Sequence, residues 1–300
     1  MKYCKEDIVK KIKRAYKSGN KGQLGIKKND ECYTQKQDVY NELSKWAALD
    51  KFRNKNIICP CDTSESAFVK VLTENKEAWG IKSITHSHYN PVTSEGTKYQ
   101  DVDYSKYDIC ITNPPFNKYR EFTNSVVGKI DFIALTPTFN RNNPCVGLYI
   151  MLGQAYLGFG THLPLTFITP TGTKSVACDW ITSFPEGQAK RNRELPKTGI
   201  KYELYKNEYI EMPNIIMKDG THPIRVGRST YPDNYDGWMF GSISVLDKIN
   251  FDEYEWYGRF VRYFNQTNPE ANPCAHRIND TMYMDANGKI GFNGILFRKK

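Results

Sequence analysis

Three hundred residues, 39% of them hydrophobic, suffice for one large α/β domain or for a catalytic core with a smaller module, and exclude a disordered or fibrous chain. Lysine and arginine outnumber aspartate and glutamate by 42 to 33, and the resulting formal charge of +9 favours a polyanionic partner. No apolar signal segment opens the chain, and the apolar stretch at residues 145–160 is short, interrupted by Gln154 and rich in glycine, so a buried helix is expected there and a membrane span is not.

In chain order, Ile8, Val9, Ile12, Ala15 and Tyr16 repeat at helical spacing with lysines between them, which predicts a basic amphipathic helix. A Gly- and Lys-rich tether follows as far as Lys28. Lys10, Lys11, Lys13, Arg14, Lys17, Lys21, Lys27 and Lys28 concentrate positive charge here, and Lys190, Arg191, Arg193 and Lys197 form a second cluster. Both are expected to contact phosphates. Residues 38–49 carry Val39, Leu43, Trp46 and Ala47 on one stripe and predict a helix, and residues 56–59 predict the first buried strand. A helix after Ser66 runs through Val69 and Leu72, strands are expected at 81–85 and 107–112, a helix at 118–127, and a short apolar run at 131–136. Strands alternating with helices at this pitch predict a parallel sheet with helices on both faces. Past Phe184 the texture changes. Residues 185–201 are charged and rich in Gly and Pro, as a linker would be, and beyond them aromatic residues alternate with turn residues, including a hairpin expected around Asn287-Gly288. This last third reads as a smaller strand-rich module, some of whose strands could complete the main sheet. The expected divisions are therefore 1–29, 30–185 and 186–300.

The eight cysteines include Cys59 and Cys61 but no Cys-x-x-Cys pair, so no metal site is expected, and His86 and His88 read as surface or structural residues. A reduced, cytoplasmic chain fits this usage.

The strand expected at 107–112 delivers Asn113-Pro114-Pro115-Phe116. Two prolines fix φ, remove two backbone donors and keep the preceding residues extended, so Asn113 stands at the start of a stiff bend. Its side-chain carbonyl and the main-chain carbonyl of Pro114 are acceptors suited to an amine, and Phe116 offers a ring on which a flat base can stack. Open α/β sheets place ligand chemistry at the carboxyl ends of strands, where this loop is expected.

The tetrapeptide resembles the catalytic motif of adenine-N6 methyltransferases. With Asp30-Glu31-Cys32-Tyr33-Thr34-Gln35, Cys59-Pro60-Cys61-Asp62, Ser64-Glu65-Ser66-Ala67-Phe68, Tyr235-Asp236-Gly237, Val245-Leu246-Asp247-Lys248 and Gly294-Ile295-Leu296-Phe297-Arg298-Lys299, it is similar to the successive blocks of the EcoRI-like adenine-specific DNA methyltransferases. The resemblance implies a Rossmann-like fold that uses S-adenosyl-L-methionine, with a carboxyl-terminal target-recognition module. Its substrate would be double-stranded DNA in a bacterial or phage setting, and a cognate restriction endonuclease could share the site. It also implies site roles. Asn113, Pro114, Pro115 and Phe116 would be catalytic. Tyr33 and Thr34 would close the methionine side of the cofactor, Cys61 and Asp62 would hold its methionine or ribose end, and Asp101, or equally Asp103, would accept from its adenine amine. Two features differ from the common pattern: no glycine-rich turn follows the first strand, and the second strand ends in Thr85-His86-Ser87-His88 without an acidic residue. RNA adenine and protein glutamine share the chemistry of a planar amine, so they remain alternative substrates, beside a non-catalytic nucleic-acid-binding relative.

Overall fold

A computed structural model describes residues 33–90, 93–138, 144–151, 153–169, 172–192, 221–226, 235–242, 253–260 and 294–300. The basic helix and tether, most of the 185–201 stretch, the Val245 block and the hairpin around Asn287 lie outside the described residues. The chain forms two compact units, one comprising Gln23–Gln188 and the other Met1–Gly22 with Ala189–Lys300.

The first unit is built on a seven-stranded sheet. Strands β1 (Asn56–Cys59), β2 (Ser83–His86), β5 (Ile109–Thr112) and β6 (Asp131–Pro137) run parallel in the order β2-β1-β5-β6, and β9 (Gly172–Thr182) joins β6 antiparallel. Strands β7 (Tyr156–Leu157) and β8 (Leu163–Thr169) occupy successive stretches of the other edge of β9. The small antiparallel pair β3 (Tyr89–Asn90) and β4 (Glu95–Gly96) stands apart from this sheet. β1, β5 and β6 are nearly continuous apolar runs because both of their faces are covered.

Alternation assigns the covers. Ile57, Cys59, Ile109, Ile111, Ile133 and Leu135 pack with α1 (Lys36–Ala48), through Val39, Leu43 and Trp46, and with α2 (Ala67–Glu74), through Phe68, Val69 and Leu72. The intervening Ile58, Cys110, Phe132 and Ala134 belong to the opposite face, where α3 (Tyr119–Val126) and α4 (Pro144–Met151) are joined by a 2.5 Å hydrogen bond from the Tyr149 hydroxyl to Asn124. Ser66 caps α2 by accepting from the Val69 N–H at 3.2 Å.

Three expectations change in the structure. The helix expected across 145–160 ends at Met151, and Tyr156–Leu157 is strand β7; Gly153 lies at φ 65, and its N–H turns back to the Ile150 carbonyl. The expected linker begins as α5 (Glu186–Asn192), whose Gln188 side chain accepts from the buried Leu157 N–H at 3.1 Å. Strands β8 and β9, absent from the sequence reading, complete the sheet.

Between β7 and β8 the chain breaks at Gly158-Phe159-Gly160, and this break is held by a buried acid. Glu42 of α1 accepts from the Phe159 N–H (2.8 Å), the Gly160 N–H (2.8 Å) and the Trp46 indole N–H (3.0 Å). Burial raises the Glu42 pKa above the ordinary carboxylate value, while the three donors and Lys45 favour the charged form. A side chain at position 158 has no room, because its Cβ would lie 2.6 Å from Glu42 Oε1 and from Trp180 Cβ. Glu42→Ala would take their acceptor from three N–H groups, two of them, at Gly160 and the Trp46 indole, buried. A stability loss on the order of 3 kcal/mol or more is therefore expected, read as a lower urea midpoint at unchanged m-value. A midpoint equal to wild type would show that the loop finds other acceptors.

The second unit contains a four-stranded sheet in the order β10-β11-β13-β12, made of β10 (Ile224–Val226), β11 (Met239–Ser242), β12 (Tyr254–Phe260) and β13 (Gly294–Lys299). Two of the motif blocks meet here: β13 is the closing block, and it pairs antiparallel with β11, which follows Tyr235-Asp236-Gly237 closely. Arg298 lies over the Trp238 ring at 4.5 Å.

Candidate active site

β1 and β5 are neighbours, and the connections leaving their carboxyl ends run in opposite directions, from β1 to β2 and from β5 to β6. Such a switch point opens a crevice at the strand ends, where open α/β sheets bind ligands. The chain places Cys61-Asp62 after β1, Ser87 after β2 and Asn113-Pro114-Pro115-Phe116 after β5, all on this edge.

Asp62 joins two of them. Only 4% exposed, it accepts from the Thr112 hydroxyl at 2.5 Å and from the Asn113 N–H at 3.4 Å, and Ser66 contributes a further side-chain hydrogen bond. The Cys61 N–H in turn donates to Thr112 Oγ1 at 3.2 Å. One carboxylate thus staples the end of β1 to the start of the Asn113 loop. Burial pushes the Asp62 pKa up to about 6, opposed by the hydrogen bonds from Thr112, Ser66 and Asn113 and by the charge of His88. The Cys61 thiol is also driven upward, by burial first and then by Asp62, so it is neutral and no nucleophile at pH 7.

The end of β2 is tied to the same place by backbone. Ser87 donates its N–H to the Cys59 carbonyl at 3.0 Å, and its carbonyl accepts the Asp62 N–H at 3.0 Å. The Ser87 hydroxyl is buried without a hydrogen-bond partner among the described residues, as is that of Thr34. Tyr33 pairs with Ile168 of β8 as an antiparallel bridge. Successive residues of an extended chain face opposite ways, and Tyr33 is accordingly 53% exposed while the Thr34 hydroxyl is sealed in. The structure therefore separates these two expected cofactor residues onto different faces.

After Pro115 the chain makes a short 3-10 turn, Phe116–Lys118, that leads into α3. Phe116 meets Phe167 of β8 edge to face, with centroids 5.6 Å apart and planes at 83°, and packs against the α1–α2 core. Its ring is thus held as well as placed. Of the two aspartates before β5, Asp103 is engaged as a cap, accepting from the Ser105 N–H (3.2 Å) and hydroxyl (2.6 Å) and pairing with Lys106. Asp101 is exposed in the preceding turn, Tyr99–Asp101, which packs on α3 through the Tyr99 and Phe122 rings.

Part of this region matches a known family. Residues 23–107 match the family described as "Adenine-specific methyltransferase EcoRI". The chain is 25% identical over 289 residues to the type II methyltransferase M.EcoRI of Escherichia coli, an alignment covering 76% of this chain and 85% of that protein. The chain is similar to the EcoRI-like adenine-specific methyltransferases. The family match spans the Tyr33, Asp62 and Asp101 segments and stops before Asn113, which the structure joins to them through Asp62. Two solved structures are also similar: a candidate RNA methyltransferase from Pyrococcus horikoshii (13% identity, TM-score 0.36, 58% of this chain and 98% of that one) and a Thermoplasma acidophilum protein (12% identity, TM-score 0.32, 60% and 98%). The fold assignment rests on the strand order above. Among the described residues, no helix of this EcoRI-like chain is long and apolar enough to cross a membrane.

Thr112, Ser66 and Ser87 escaped the sequence reading as site residues. Thr112 is the one polar residue in an otherwise apolar strand, and Ser66 stands in a Ser-x-Ser run before a helix, so both carried a local signal. Ser87 had none beyond its place after β2. Phe116 is expected to tolerate Tyr, which keeps the ring. Phe116→Ala should weaken productive substrate binding by about one to two decades, since stacking on a base is worth roughly 1–3 kcal/mol. The KM for substrate and the unfolding midpoint, measured on one preparation, decide the role: a lowered midpoint with unchanged KM would make the ring structural.

Proposed function

We propose that this methyltransferase transfers a methyl group from S-adenosyl-L-methionine to the exocyclic N6 amine of an adenine turned out of a specific site in double-stranded DNA. The observation that carries the reading is the Asn113-Pro114-Pro115-Phe116 loop fixed by Asp62 at the switch point of the sheet. Bound there, the cofactor supplies an already activated methyl on a sulfonium. The residues present suit it: Asp62 is a buried carboxylate, and Thr34 and Ser87 each offer a sealed hydroxyl with no hydrogen-bond partner among the described residues. These three, with Cys61 beside Asp62 and Asp101 at the adenine end, would hold it.

The rest of the chemistry belongs to the chain. The adenine lone pair is delocalised into the ring, so hydrogen bonds from its amine to the Asn113 side-chain carbonyl and the Pro114 carbonyl favour the pyramidal geometry that attacks. The two prolines keep both acceptors in place before the substrate arrives, which removes the entropy of arranging them. Phe116 stacks on the extruded base and offsets part of the few kcal/mol that unstacking costs. The lysines of residues 10–28 contact phosphates, and residues 186–300 read base edges.

Methyl transfer from a radiolabelled cofactor to duplex DNA, RNA and protein, followed by mass spectrometry of the modified base, tests the proposal. N6-methyladenine in duplex DNA is the expected product. Label in RNA or in protein glutamine alone would overturn the substrate assignment.

A further inference from the structure

The antiparallel register carries one part of the catalytic unit past the sheet. Pro137, the last residue of β6, pairs with Cys178, whereas residues 172–177 of β9 pair with β8 alone. At ~3.4 Å per residue the β8–β9 ribbon therefore overhangs the carboxyl edge, the Asn113 edge, by roughly 20 Å. Its outer half touches the catalytic loop, since Phe167 of β8, paired with Lys174 and buried with Leu165 in the α1–α2 core, meets Phe116. Nothing within 4 Å would meet a side chain at Gly172, where β9 begins.

Directly paired residues share a face of a sheet. Tyr33 pairs with Ile168 and Ile168 with Thr173, so these three form one row across the ribbon and the segment bridged to it. All three are exposed, Ile168 to 56%, which is rare for an aliphatic residue flanked by paired strands on both sides. The next pair on that face is Thr166 with Ser175. Residues 163–178 contain no carboxylate, and their one charge is the exposed Lys174. That face is thus aliphatic and hydroxyl-bearing, while Lys174, paired with Phe167, starts from the opposite face, the one that meets Phe116.

From this placement we infer that the β8–β9 ribbon is a second DNA-reading element, lying in the major groove beside the extruded adenine. Ile168 and the Thr173 methyl contact base edges such as a thymine methyl, the hydroxyls of Thr173 and Ser175 hydrogen-bond to the edges, and Lys174 reaches a phosphate. A two-stranded ribbon fits the major groove, and these side chains match what base edges offer there. The inference rests on the DNA-methylating function proposed above and adds to it a reader within the catalytic unit itself.

Ile168→Glu and Lys174→Gln, made singly in the full chain, test it against a fluorescent duplex and S-adenosylhomocysteine. Ile168→Glu should weaken duplex binding about tenfold or more, the loss of one base contact. Lys174→Gln should lower the slope of log Kd against log salt by about one. Cofactor-product affinity and unfolding midpoint should match wild type in both. Duplex binding unchanged in both variants overturns the ribbon alone, as does a duplex defect accompanied by an equal loss of cofactor-product affinity. A wild-type protein that binds no duplex overturns the underlying function, and the ribbon with it.

Discussion

Asn113→Ala is expected to lower the rate of methyl transfer by on the order of 10²–10³, or to abolish it, while affinity for S-adenosylhomocysteine stays within about threefold of wild type. The amide is proposed to meet the target amine, and its interaction strengthens as that amine becomes pyramidal, so its removal falls on kcat more than on binding. The loop itself should persist, because its anchor is the Asn113 backbone N–H on Asp62 and the two prolines set its path. Single-turnover rates with prebound cofactor check this directly. A loss of only a few-fold in a folded variant would remove Asn113 from the reaction.

Asp62→Asn is expected to weaken cofactor binding about thirtyfold at pH 8 and to flatten its dependence on pH. The carboxylate titrates at about 6 because burial favours its neutral form. Its folded pKa lies above the unfolded value near 3.8, so its contribution to stability is complete below about pH 4 and is lost as pH rises through about 6. In the ligand-free protein that loss amounts to about 3 kcal/mol. The same ionisation creates the acceptor proposed for the cofactor, so wild-type affinity should climb between pH 5 and about 7 as stability falls. A charge-assisted hydrogen bond is worth about 2 kcal/mol, the source of the thirtyfold figure. Calorimetric titrations with S-adenosylhomocysteine from pH 5 to 8 decide the matter. An Asp62→Asn variant with wild-type affinity and a wild-type pH profile would leave Asp62 as a staple only.

The parallel half of the fold was legible because β1, β5 and β6 are largely buried apolar runs, and β1 falls at 56–59 as expected. Helices α1, α2 and α3 were equally plain, each with its apolar stripe and, in α2, a serine cap. The β8–β9 ribbon was not. Leu163, Leu165 and Phe167 do alternate, but Pro164 and Pro170 argue against a central strand, and the exposed Ile168 breaks the polar-out pattern. In the candidate site, Asp62 and the Asn113 loop were readable as motifs, yet their joining through Thr112 was not, because register between distant strands leaves no local mark. In the sequence Glu42 is one more charge on a helix and carries no mark of its role. Only the arrival of Phe159 and Gly160 makes it a buried acceptor.

The staple between Asp62 and Thr112 spans 50 positions of the chain. During synthesis the Asn113 tetrapeptide emerges long before Phe167, the ring on which Phe116 rests, so a nascent chain carries the motif while lacking one of its supports. Competence is therefore a property of the closed sheet. A peptide bearing the tetrapeptide alone has two stiff prolines and no fixed acceptor, and grafting it onto another strand end would transplant the letters without the reaction.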